Sequence, residues 1–227
     1  MVVREMDALF KKLNIVPKNI ELYKTAFCHT SYVHEHSDCT SYERLEFLGD
    51  ATVDLVVADY LYNQMHIEEG DMTKLRASYV CENALYRYAM DLGFSKYIKV
   101  GHGEEADGGK FKKAIVADIF EALMAAIYLD LGYETVRRVI LDVVVPYIED
   151  PNILFFSDYK SALQEAMQTD KRDVEYILID EEGPAHKKTF TVEVKVGDVV
   201  YGKGVAHSKK EAEQNAAENA LEKLAIK

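Results

Sequence analysis

The sequence contains no tryptophan, only four prolines and three cysteines, and no long uninterrupted apolar run. The missing run excludes a helical membrane span, which takes roughly 18 or more consecutive apolar residues. Cys28, Cys39 and Cys81 are odd in number and form no CxxC pair, which argues against a disulfide framework and against a zinc site. There is no basic excess either: 27 Lys and Arg stand against 39 Asp and Glu, a net charge of −12, opposite in sign to what a nucleic-acid-binding chain usually carries. Residues 157–227 hold 11 basic and 14 acidic side chains, so neither half of the chain is basic and any phosphate contact must rest on local clusters. The glycines around His102 lack the GK[ST] ending of a phosphate-binding loop, so no nucleotide cofactor is expected. The start, MVVREMDALFKKLNI, mixes acids, bases and apolar residues at helical spacing, unlike a secretory signal, and a cytoplasmic protein away from membranes is expected.

What is present is helical grammar followed by a change of pattern. A chain of 227 residues suits one large and one small domain. The segment YERLEFLGDATVDLVVADYLYNQM places Leu45, Leu48, Leu55, Val56 and Leu61 at spacings that predict a long, largely buried helix. AIVADIFEALMAAIYLDLG carries Ile115, Ile119, Leu123 and Ile127 at i+4 steps and predicts a second helix stopping at Gly132. Between them, EEGDMTKLRASYVCENALYRYAMDLGF predicts a Glu-Gly-Asp turn and then helix, and VGHGEEADGGKF predicts a loop. The helical pattern ends near Asp150-Pro151, which sets a helical domain at 1–150 and a linker at 150–157. Residues 157–227 then read as a short helix (SDYKSALQEAMQ), three alternating strands (VEYILIDEE, KKTFTVEVKV, VVYGKGVA) joined at Gly183-Pro184 and Gly197-Asp198, and a last helix with Ser208 as N-cap and Glu211 completing a capping box. The expected class is multi-domain: an all-α domain followed by a small α+β domain of order α-β-β-β-α.

Carboxylates carry the chemical signal. Glu43, Glu46 and Asp50 lie at i, i+3 and i+7 on the first long helix, and Asp118 and Glu121 at i, i+3 on the second, so each set shares a side. Acids at helical spacing are usually a solvated face. Here the helices around them are strongly apolar, and acids pressed into a helix interface must protonate or bind a cation. Two such sets facing each other would form an oxygen-rich cage suited to a hard divalent ion.

ERLEFLGD, EEGDMTKLRA and ADIFEALMAAIYLDLG, in this order, resemble the successive signature blocks of the ribonuclease III family, and the resemblance extends over the chain. It implies a helical, dimerising endonuclease domain that hydrolyses double-stranded RNA with Mg²⁺, Mn²⁺ being able to substitute, leaving 5′-phosphate and 3′-hydroxyl ends. Ribosomal RNA precursors and some messenger RNAs are the implied substrates. Cutting both strands takes two sites related by a two-fold axis, so a homodimer through the helical domain is expected, with the helix carrying ERLEFLGD as its interface. By match to the family pattern, Glu46, Asp50, Asp118 and Glu121 are the metal ligands, with Asp50 and Glu121 also catalytic; Glu43 and Glu69 match further acids lining the cleft, and Asp54 is a neighbouring outer acid. The chain departs from the family at Tyr42, where Asn is common, and near Lys113 and Ala114, where an acid and a hydroxyl residue are common; these departures bear on the surroundings of the site rather than its four ligands.

The tail resembles the double-stranded-RNA-binding domain, which reads A-form shape through minor-groove 2′-hydroxyls and phosphates. Matching that pattern, Gln164, Glu165 and His186 are expected at minor grooves and Lys209 and Lys210 at phosphate, beside the positive end of a helix. Two other readings remain open from the residues alone. One is a binder that kept the fold without the chemistry, which has no use for four buried acids. The other is an acidic helical scaffold, which leaves the tail unexplained.

Overall fold

The computed structural model describes residues 2–36, 39–150, 153, 155, 159–169, 173–184 and 188–224, and the chain divides into two compact units, Met1–Phe156 and Ser157–Lys227. In the first unit the helices are α1 (Val2–Lys12), α2 (Ile20–Ala26), α3 (Thr30–Glu35), α4 (Glu43–Gln64), α5 (Glu69–Tyr79), α6 (Glu82–Leu92), α7 (His102–Ala106), α8 (Lys113–Leu131) and α9 (Tyr133–Ile148). Helix α8 is the axis of this unit. Its residues from Ile115 to Ile127 are buried almost without interruption, broken only by Asp118 and Glu121, and a helix apolar all round must be surrounded. Helices α2, α4, α6 and α9 pack around it. No described helix is long and apolar enough to cross a membrane.

Helices α4 and α8 meet backbone to backbone. A Cβ on Gly49 would lie 1.9 Å from the carbonyl oxygen of Glu121, so only glycine fits there. This contact sits one turn beyond Glu46 on α4, at the height of the acids of α8.

Several local expectations are corrected. Leu55, expected in the core, is 57% exposed, in company with Phe47 at 83% and Tyr62 at 73%. Apolar periodicity reports the faces of α4 that are greasy, but within one chain α8 covers only one of them. The Glu-Gly-Asp turn is instead the first turn of α5, where Glu69 and Asp71 favour the helix dipole. The expected loop at 100–111 contains α7 and a 3₁₀ turn, Gly109–Phe111. The cause is remote: Glu35 on α3 accepts from the His102 N–H at 2.9 Å, satisfying a helix-start donor that local sequence leaves open. After α9, Phe155 packs edge-on to Tyr79 and Tyr88 and tilted against Tyr147, and the Ile153 carbonyl accepts from the Tyr79 hydroxyl, so part of the expected linker belongs to the helical core.

The second unit comprises α10 (Tyr159–Thr169), β1 (Val174–Glu182), β2 (Thr189–Val196), β3 (Val199–Ala206) and α11 (Lys209–Lys223), with an antiparallel sheet in the order β1-β2-β3. Leu163 and Met167, Val192, Val194 and Val196, and Ala212, Ala216, Ala217, Ala220 and Leu221 form one core between sheet and helices. Gly202 and Gly204 on β3 let α11 approach so closely that a Cβ at either would fall within about 2 Å of the Ala216 or Ala212 carbonyl oxygen, at 2.0 and 2.1 Å. This explains the run of alanines on α11: small residues on both sides bring helix and sheet together.

Gly49→Ala is expected to lose about 1–3 kcal/mol through overpacking, more than the ~1 kcal/mol at most that alanine gains over glycine inside a helix. Urea unfolding followed by helical circular dichroism measures this, and a variant as stable as the parent would contradict the close contact.

Candidate metal centre

The close approach at Gly49 decides where the acids of the two helices end up. Glu46 projects from the first turn of α4 toward α8, while Asp118 and Glu121, one turn apart, project from α8 toward α4. One carboxylate oxygen from each of Glu46, Asp118 and Glu121 lies within 4.8 Å of the other two, and all three residues are half-buried. Asp50 is exposed and stands outside this trio, but its charge bears on both glutamates. Glu43 is also exposed; its carboxylate accepts from the Ser41 hydroxyl at 3.0 Å and it acts on Glu46 by charge alone. Glu69 lies at the exposed start of α5, accepts from the Thr73 hydroxyl at 3.1 Å and is not among the converging acids. Asp54 lies within reach of Arg76 on α5, at 3.9 Å.

Burial and mutual repulsion both disfavour the ionised forms. Burial is the largest cause for Glu121, with the charges of Asp50, Asp118, Glu46 and Asp54 adding to it, and its carboxyl is pushed up to about 8. Burial, then Asp118, Glu43 and Asp50, raises Glu46. Asp118 is raised by burial, against which a hydrogen bond from Tyr42 and the charge of His29 act. The trio is therefore a coupled site that holds a proton near neutral pH in the absence of a cation. Its donors are all carboxylate oxygens, with no thiolate or imidazole among them, and this chemistry fits a hard divalent cation such as Mg²⁺.

Tyr42 has a place in the site that its standing as a departure from the family pattern did not reveal. Its hydroxyl donates to Asp118 Oδ2 at 3.0 Å, and its ring lies 5.8 Å from that of His29. Burial first, then the acids beside it, raise its pKa well above the ordinary tyrosine value, so the phenol keeps its proton. His29, to which sequence reasoning assigned no role, accepts from the Ser31 N–H through Nδ1 and caps α3. Lys113 and Ala114 lie exposed in the first turn of α8, Ala114 one turn before Asp118.

In the second unit, Lys209 and Lys210 are exposed in the first turn of α11, whose N-cap Ser208 accepts from the Glu211 N–H at 3.2 Å. Gln164 is exposed on α10. Glu165 lies on α10 with its side chain outside the described residues, and His186 is outside them altogether. Composition gave no hint of Glu181, which pairs with Lys188 and stands 3.9 Å from the Lys209 ammonium, so the lysine charges at this edge are partly countered within the unit.

Comparison with known proteins gives the same division of the chain. The family model described as Ribonuclease-III-like matches residues 19–148, and that of the double-stranded RNA binding motif matches residues 159–224. The chain is 48% identical over 212 residues to Ribonuclease 3 of Listeria monocytogenes (91% of this chain, 92% of the relative) and 44% identical over 224 residues to Ribonuclease 3 of Onion yellows phytoplasma (98% and 93%). Among solved structures, the nuclease domain of ribonuclease III from Campylobacter jejuni, described as flexible in a region involved in dimer formation, superposes with a TM-score of 0.59 at 35% identity, covering 62% of this chain and 96% of that one.

The raised carboxyl of Glu121 has a defined pH signature. A group held above its ordinary value of 4.5 contributes stability that is complete at low pH and lost as pH rises toward about 8, because the unfolded chain gives up the proton first. The metal-free protein is therefore expected to melt at progressively lower temperature across that interval, and Glu121→Gln to flatten the decline and raise the melting point at its alkaline end. Calorimetric melting of both proteins against pH checks this; parallel profiles would refute it.

Proposed function

The chain belongs to the ribonuclease III family, an endonuclease hydrolase joined to a double-stranded-RNA-binding domain, and from this premise we propose that it cuts duplex RNA in a Mg²⁺-dependent reaction, with Mn²⁺ able to substitute. The observation that carries the metal requirement is the convergence of Glu46, Asp118 and Glu121 in a half-buried site whose shared charge calls for a cation. Glu46, Asp50, Asp118 and Glu121 are the proposed ligands, Asp50 joining from the exposed side of α4. A bound divalent ion supplies Lewis-acid activation of water and neutralises charge on the phosphoryl oxygens. The carboxylates of Glu46, Asp118 and Glu121 would hold it in place, and Glu121 would give up its proton on binding. Water oxygen adds to phosphorus as the bond to the 3′ oxygen breaks, and the proton that the water gives up ends on that oxygen, leaving a 5′-phosphate and a 3′-hydroxyl. Glu43 and Glu69 line the cleft through which the strand enters.

Lys209 and Lys210, at the positive end of α11, are the proposed phosphate contacts, with Gln164, Glu165 and His186 at minor grooves. A few placed charges suffice for this despite the net −12 of the chain. The face of α4 bearing Phe47, Leu55 and Tyr62 is the proposed homodimer interface, since it is apolar and exposed in the single chain and cutting both strands takes two sites related by a two-fold axis. Ribosomal RNA precursors and some messenger RNAs in the cytoplasm are the proposed setting.

Purified protein incubated with long duplex RNA is expected to cut it only with Mg²⁺ or Mn²⁺, and Glu121→Gln to retain duplex binding while cleavage falls about 100-fold or more. Retention of the duplex without cutting by the parent protein would leave a binder in place of the nuclease. Lys209→Ala is expected to weaken binding of all duplex sequences alike and reduce the slope of log K against log salt by about 1; an unchanged slope would remove Lys209 from the phosphate contacts. Phe47→Glu is expected to shift the sedimentation of the protein from dimer to monomer, and a dimer that persists would place the interface elsewhere.

A further inference from the structure

Tyr42 occupies the N-cap position of α4, yet its side chain makes no capping bond. Ser, Thr, Asp and Asn are favoured at such a position because a short polar side chain can accept from the first N–H groups of its own helix. The Asn common here in the family is a residue of that kind. Tyr42 gives up that role and reaches across to α8 instead. Its backbone N–H donates to the Cys28 carbonyl at 3.0 Å, its ring is 3% exposed, and its hydroxyl spans 76 positions of sequence to meet Asp118 Oδ2. Among the described residues, no other side chain donates a hydrogen bond to Glu46, Asp118 or Glu121.

The chemistry of the donor matters. A lysine or arginine in this place would neutralise the acids itself and compete with any cation. A phenol orients a carboxylate without adding positive charge, and partners of this kind around a metal site fix the direction of its ligands. A carboxylate has two oxygens, and fastening Oδ2 restricts rotation of the group so that the other oxygen holds one direction.

We propose that the Tyr42 hydroxyl is a positioning group for Asp118, tying one carboxylate oxygen so that the other is presented to the cation shared with Glu46 and Glu121. The proposal rests on the cation reading given above. It makes the departure at position 42 a working part of the site, and it separates two contributions of one residue: the ring packs, and the hydroxyl aligns.

Tyr42→Phe removes the hydroxyl and keeps the ring. Tyr42→Phe carrying both units, without RNA, is titrated with Mn²⁺ in a calorimeter alongside the parent and Glu121→Gln, and melting of the metal-free proteins is recorded. Tyr42→Phe is expected to bind Mn²⁺ about tenfold or more weakly, with its metal-free melting point close to that of the parent. In duplex-RNA cleavage, its deficit is expected to shrink as Mg²⁺ is raised, with KM for RNA unchanged. A purely structural tyrosine would instead lower the melting point and leave the metal dependence alone. If Glu121→Gln loses Mn²⁺ binding while Tyr42→Phe binds within about twofold of the parent, the role of Tyr42 is overturned and the cation site stands. If Glu121→Gln also binds as the parent does, the cation reading fails and takes this inference with it.

Discussion

The contact between Gly49 and the Glu121 carbonyl places two helix backbones closer than any side chain would permit, and the acids on either side of it have little freedom to avoid one another. Carboxylates on a surface helix escape repulsion by turning into water. Glu46, Asp118 and Glu121 instead emerge where α4 is held against a helix that is apolar on nearly every side, and α8 cannot rotate to relieve them without exposing the core around Ile119 and Leu123. The packing of a greasy helix thus enforces an electrostatic conflict that local sequence would not choose. Strain of this kind persists only where the surrounding structure over-determines it, and it is concentrated where function needs it.

The second unit meets a related constraint with opposite chemistry. Gly202 and Gly204 bring α11 onto the sheet as Gly49 brings α4 onto α8, but alanines line that contact. The charges lie at its edge, where Lys209 and Lys188 share Glu181. These pairs are exposed, and exposed pairs contribute little to stability. Their consequence is for the field: an anion approaching Lys209 would compete with a carboxylate 3.9 Å away.

Much of this was legible in the sequence where one physical period dominates. The i+4 isoleucines of α8, the alternation in β1 to β3 and the Ser208 cap are local signals, and each element lies where they predict it. What was not legible came from partners distant in sequence. Glu35 sustains α7, the ring of Phe155 finds three tyrosines, and Leu55 stays exposed because periodicity identifies an apolar face without saying which chain will cover it. In the site, spacing placed the acids on common helix faces, and the family motifs singled out Glu46, Asp50, Asp118 and Glu121 as the expected ligands. That three converge while Asp50 stands outside, and that Glu69 bonds within its own helix, depends on the angle at which helices cross. Tyr42 was visible only as a mismatch, since no local rule connects the start of one helix to a residue on another.

The proton held by the trio links the pieces energetically. A cation entering the proposed site would displace that proton, so its apparent affinity would be the intrinsic affinity reduced by the work of deprotonating Glu121 at the ambient pH. The field of an acidic chain then acts in opposite directions on the two partners of the proposed reaction. It favours the cation and opposes the polyanion, while a bound cation reduces the negative charge that the polyanion meets. Binding free energies are reciprocal: whatever the metal does for RNA affinity, RNA must do for metal affinity. At a net charge of −12 the proposed metal and duplex would therefore bind with positive cooperativity, because the cation reduces the negative charge that the duplex meets and the duplex adds negative charge that attracts the cation.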